Sequence, residues 1–154
     1  MTIARFVTIV CLAVIFSLPA PVARSADYEL YSTRGGFADV RQDLEDAIIN
    51  RGYVIDFKGA IGTMLARTRN DVGSSKKLYK NAEFLIFCSA KLSRATMEAD
   101  PHNIAFCPYA MVVYELSKSP GTIYVSHRNL KSSGSKQLAV IHDVLRAIAL
   151  EATK

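Results

Sequence analysis

A chain of 154 residues, 50% hydrophobic and 21% charged, has the size of one domain and the composition of a folded one. Its formal charge of +5 is thinly spread, with Lys76, Lys77 and Lys80 as the densest basic cluster. That cluster is too small for the basic stripe of a nucleic-acid binder, so a solvated face is expected and no nucleic-acid partner.

Residues 1–20 begin with a lone cation, Arg5, and then run apolar for about fifteen residues, FVTIVCLAVIFSLPA. The run suits the core of an export signal and falls short of the roughly twenty residues of a membrane span. Pro19 and Pro21 end it, and Ala23-Arg24-Ser25 places small residues where a signal peptidase reads. Cleavage is expected after Ser25, giving a signal peptide over 1–25 and one mature domain over 26–154. The mature chain is expected to be periplasmic or secreted, with no stable membrane insertion. Cys11 leaves with the leader, as do Arg5 and Arg24, which lowers the charge to about +3. What remains is large enough to bury a core without disulfides.

Residues 27–33 alternate, with Tyr28, Leu30 and Ser32 on one side and Glu29 and Tyr31 on the other, which predicts a strand. Gly35-Gly36 breaks it but lacks the further glycine and lysine of a phosphate loop. From Phe37 the period changes: Phe37, Val40, Leu44, Ala47 and Ile48 share a helical face, and Asp43, Glu45 and Asp46 fall on the exposed side. Gly52 is the expected helix stop, followed by a strand over 53–58. A minor helix is expected over 61–71, a polar loop over 73–81 and a compact apolar strand over 83–88. Ser89 is a suitable N-cap for a short helix, Ala90–Ala99, closed by Asp100-Pro101. Strands follow at Tyr109–Leu116 and 122–127, joined by the turn Ser117-Lys118-Ser119-Pro120-Gly121. The last helix, 136–153, repeats Leu138, Ile141, Leu145 and Ile148 at helical spacing, and this stripe must cover something apolar. The pattern is a two-layer α+β sandwich. Its expected core includes Phe37, Val40, Leu44, Ile48, Ile86, Val112, Ile123, Leu138, Ile141 and Leu145, with the first and last helices packed together on one face.

Three phrases carry a family resemblance: GFADVRQDLEDAIINRGYVI, FCSAKLSRATMEADPHNIAFCPYAMVVYE and TIYVSHR. The chain resembles, from about Tyr31 to His127, the family known as domain of unknown function 302. The matching elements are Gly52-Tyr53, Cys88, Asp100-Pro101, Cys107-Pro108 and Tyr114-Glu115. Two positions depart from the family pattern: Ser89-Ala90 stands where Asn-Pro is common, and Pro108 follows the second cysteine where proline usually precedes it. The resemblance implies a β-α-β(4)-α fold similar to the TATA-binding-protein class, with an antiparallel-rich sheet and helices on one face. It implies no activity, and a shared fold is no argument for DNA binding.

Cys88 ends one strand and Cys107 precedes the next, so they meet if those strands are antiparallel neighbours, the arrangement the resemblance favours. A disulfide is the expected outcome. Two reduced buried thiols, a reactive Cys88 beside a helix N-terminus, and a copper(I) site of Cys88, Met97, His102 and Cys107 are the alternatives. His127 and His142 have no second histidine four residues away. No Gly-x-Ser-x-Gly elbow is present, and Tyr28, Tyr31, Tyr109, Tyr114 and Tyr124 lie on strands whose face is either core or ligand surface. The expected function is an exported, non-enzymatic binding or accessory module, without cofactor, for a small molecule or protein. The alternative is a thiol-dependent redox, sulfur-handling or soft-metal protein using Cys88 and Cys107 with His102.

Overall fold

The computed structural model describes residues 27–154. Strands β1 (Tyr28–Arg34), β2 (Val54–Gly59), β3 (Tyr79–Cys88), β4 (Tyr109–Leu116) and β5 (Thr122–Arg128) form one sheet. Their order is β1-β5-β4-β3-β2, and every neighbouring pair is antiparallel. Helix α1 (Phe37–Ile49) follows β1, α2 (Ile61–Thr68) follows β2, α3 (Ala90–Ala99) follows β3, and α4 (Lys136–Ala152) follows β5. With α2 and α3 read as insertions, this is the expected β-α-β(4)-α arrangement.

Local chemistry sets the helix ends. Gly52 adopts a φ of +78° just after α1, a conformation open to glycine at little cost. Ser89 caps α3, its Oγ accepting the Leu92 N–H at 3.3 Å. Asp100 closes α3 and accepts the His102 N–H at 2.9 Å, starting a 3-10 turn over Pro101–Phe106. The Cys107–Pro108 peptide is cis.

Period-two alternation divides the sheet into two unlike faces. Leu85, Phe87, Met111, Val113, Ile123 and Val125 point to the face covered by α1 and α4, and all six are fully buried. Val40, Leu44, Ile48, Leu138, Ile141 and Leu145 meet them from the helices, and α1 and α4 pack together as expected. Arg51 and Glu151, 2.7 Å apart, tie the C-terminal ends of these two helices.

Four expectations are corrected. Ile86 and Val112 lie one residue out of step with the core positions and face the other way, half-buried. The compact apolar run 83–88 has no alternation, so its sequence does not reveal which side is core. Strand β3 starts at Tyr79, within the stretch expected to be a loop. Helix α2 packs on the opposite face from α1, α3 and α4. A Cβ on Gly62 would stand 2.8 Å from the Ala82 backbone nitrogen, so only glycine allows α2 this close to β3. Finally, Glu45 is buried rather than exposed, held by Arg41 and by Lys58 Nζ at 2.6 Å from β2.

Candidate functional site

The antiparallel pairing of β3 with β4 brings the cysteines together, because Phe87 faces Tyr109 in the register. The expected bridge is not formed. Cys88 and Cys107 are free thiols with their sulfurs 3.3 Å apart, well beyond the ~2.05 Å of a bond. The Ser93 hydroxyl lies 3.3 Å from the Cys107 sulfur and 3.0 Å from the Tyr109 hydroxyl. Burial pushes the Cys88 thiol up to about 11, and the neighbouring Cys107 adds to this against opposing contacts from the Tyr109 backbone and Ser93. The α3 N-terminus therefore does not make Cys88 a thiolate at neutral pH. The same burial raises Tyr109 to about 12.

The rest of the soft-ligand set disperses. His102 is exposed on the 3-10 turn, while Met97 lines a narrow crevice beside Cys107 with Ser93 and Thr96. Among the described residues no three His, Cys, Asp or Glu side chains converge on a metal position.

The two remaining histidines, far apart in sequence, meet between β5 and α4. Their rings are 5.3 Å apart and nearly perpendicular, and both are buried. His127 Nδ1 donates to the Arg128 carbonyl at 2.9 Å, and His142 Nε2 lies 3.7 Å from Glu29. Burial, reinforced by His142, holds His127 below the usual imidazole range. The pair sits inside the helix–sheet layer.

The open face of the sheet is where the tyrosines gather. Tyr31 and Tyr109 point into the core layer, whereas Tyr28, Tyr114 and Tyr124 stand on the far side. Tyr114 and Tyr124 stack at 5.1 Å, and Tyr79 meets Tyr114 edge-on at 5.7 Å. Such aromatic pairs contribute about 0.5–1.5 kcal/mol each beyond area burial. Burial raises the Tyr114 phenol above its ordinary range, so it remains a hydrogen-bond donor at neutral pH. Ile61 and Leu65 of α2 form the wall of a cleft of about 290 Å³ whose floor is Tyr28, Tyr79, Val112 and Tyr114. Sequence reasoning left the face of these tyrosines open and missed Tyr79. The usable signal was Leu78-Tyr79 directly ahead of an apolar strand.

No helix among the described residues is long and apolar enough to cross a membrane. No curated protein matches the chain. One solved structure with the same fold is the crystal structure of an uncharacterized conserved protein DUF302 from Bacillus stearothermophilus. It superposes with a TM-score of 0.68 at 14% identity, covering 84% of this chain and 100% of the other. The sequence model of the family described as domain of unknown function DUF302 matches residues 28–154, which takes in every strand and helix of the sheet–helix layer. This chain belongs to that family.

Proposed function

We propose that this chain is an exported, periplasmic binding module that holds a small planar apolar molecule in the tyrosine cleft. The supporting observation is the cleft itself, about 290 Å³ between α2 and an open sheet face, with Tyr28, Tyr79 and Tyr114 on its floor. Ligand sites are commonly apolar clefts with a few placed polar groups, and the phenol hydroxyls fill that role. Export is supported by the apolar run ahead of Ala23-Arg24-Ser25. The reading is binding without chemistry.

The neutral fluorophore N-phenyl-1-naphthylamine tests it. Saturable one-to-one binding is expected, lost by at least tenfold in Val112→Trp, which fills the cleft, and weakened about threefold in Tyr114→Leu, which keeps the bulk but not the ring. Thermal melts confirm that both variants fold. Non-saturable binding, or equal binding by both variants and the parent, would refute the reading. If the parent dimerises and Val112→Trp does not, the face is occupied by a second copy instead.

The cysteine pair has a second reading as a slow thiol–disulfide centre, carried by the 3.3 Å between the sulfurs. A small disulfide such as oxidised glutathione is the oxidant. One thiolate displaces a glutathione thiol to form a mixed disulfide, and the second cysteine displaces the other. Two electrons and two protons thereby pass to glutathione as the Cys88–Cys107 bond closes. With Cys88 near 11 as the attacking thiol, roughly one in 10⁴ is ionised at pH 7, so oxidation begun by Cys88 should accelerate about tenfold per pH unit up to pH 9. Intact mass should fall by two hydrogens as both alkylation sites disappear. Two alkylatable cysteines after prolonged incubation at pH 9 would exclude this reading.

A further inference from the structure

A second cavity, about 240 Å³, opens on the other side of Leu65 and Tyr79, two residues that line both spaces. Its walls divide by chemistry. Leu65, Val72 and Leu78 are apolar, Arg69, Lys76 and Lys77 are cationic, and no carboxylate lines it. Lys76 and Lys77 are exposed, and among the described residues none of the three cations makes an ion pair. Arg69 is the informative one. Its Nε is buried without any hydrogen-bond partner. A buried donor left unmade costs on the order of 1–3 kcal/mol, and three unneutralised cations around one space repel one another. A negatively charged group in the cavity would relieve that repulsion.

Resting on the cleft reading above, we infer that the two cavities are one site for an amphipathic organic anion. Its carboxylate or sulfonate-type head lies at Arg69, Lys76 and Lys77, and its planar apolar body passes Leu65 and Tyr79 into the tyrosine cleft. Arginine suits the head because its guanidinium offers several donors in a fixed plane, and lysines supply additional point charge. The polar loop after α2, which carries Lys76 and Lys77, thus determines which apolar molecules are accepted.

Two fluorophores sharing the anilinonaphthalene framework separate the contributions. The anion 8-anilino-1-naphthalenesulfonate should bind at least tenfold tighter than neutral N-phenyl-1-naphthylamine at low ionic strength, and salt should weaken only the anion. Arg69→Gln, and separately Lys76→Gln with Lys77→Gln, should each lower the anion's affinity about three- to tenfold and leave the neutral probe unchanged. Arg69→Lys should recover part of the loss. If the neutral probe binds but the anion gains nothing, or if Arg69→Gln weakens both equally, the anionic subsite is wrong and the cleft reading stands. If neither probe saturates, the cleft reading fails and takes this inference with it. Arg69-dependent co-sedimentation with phosphatidylglycerol vesicles, without binding of the free anion, would assign the cations to a lipid surface and overturn the proposal.

Discussion

Phe87→Ala is expected to remove about 3–5 kcal/mol from the unfolding free energy. The ring is fully buried at the centre of the layer between sheet and helices, stacked with Tyr53 at 5.7 Å and edge-on to Tyr109 at 6.0 Å. Deleting it loses the transfer energy of the side chain and leaves a cavity between close-packed neighbours. A domain of this size has only about 5–15 kcal/mol in total, so the variant should be near the edge of folding at 37 °C. Ile86, its immediate neighbour, faces the open side and is half-buried. Ile86→Ala should therefore cost roughly 1–2 kcal/mol. Urea unfolding of the two variants, read at constant m-value, checks the division of the sheet into faces. Equal losses would show that Ile86 and Phe87 share one core and that the face assignment is wrong.

Glu115→Ala should cost roughly 2–4 kcal/mol, unusually large for a carboxylate outside a metal or catalytic site. Its side chain is 3% exposed and accepts three donors: Gly121 N–H and Asn81 Nδ2, each at 2.9 Å, and Lys80 Nζ at 3.0 Å. Gly121 belongs to the β4–β5 turn, while Asn81 and Lys80 belong to β3, so one carboxylate joins three consecutive strands at one end of the sheet. The Gly121 N–H, with Lys80 and Asn81 assisting against burial, holds Glu115 below its usual 4.5. The folded state therefore binds this proton less readily than the unfolded chain does. The resulting stability is fully present above about 4.5 and is lost as pH falls through the lower, folded value. Other carboxylates titrate in the same window, so the informative quantity is the difference between the parent and Glu115→Gln. That difference should shrink on acidification below 4.5. A difference independent of pH from 7 to 3 would mean that Glu115 acts through shape alone.

Most of the elements were legible in the sequence because their signals are local. Ser89, Asp100-Pro101 and Gly52 mark helix ends through their own backbone chemistry, and α3 and β4 fall at the expected residues. The stripe from Leu138 to Ile148 required an apolar surface beneath it and has one. Facing was less legible. The run from Glu83 to Cys88 is apolar on both sides because α2 and the tyrosines shelter the far face, which hid the distinction between Ile86 and Phe87. Glu45 looked like a solvent-side carboxylate because its partner, Lys58, comes from a different element. For the cysteines, the spacing and the family resemblance gave proximity. They could not give the state of the sulfurs, which depends on Ser93, Tyr109 and burial converging from three elements. Lys76 and Lys77 read as part of a solvated basic cluster and Arg69 gave no signal, since nothing in a one-dimensional pattern shows a cavity lined by all three.

The position of β1 has a kinetic consequence. It is an edge strand, and its only partner in the sheet is β5, with Tyr28 opposite Arg128 across a separation of 100 residues. Contacts of such long range carry a large loop-closure cost and slow the folding of a domain. Strand β1, the earliest of the described strands, has nothing to pair with until about three-fifths of the chain has followed it. A nascent chain is therefore held back from completing its sheet until β5 has been made.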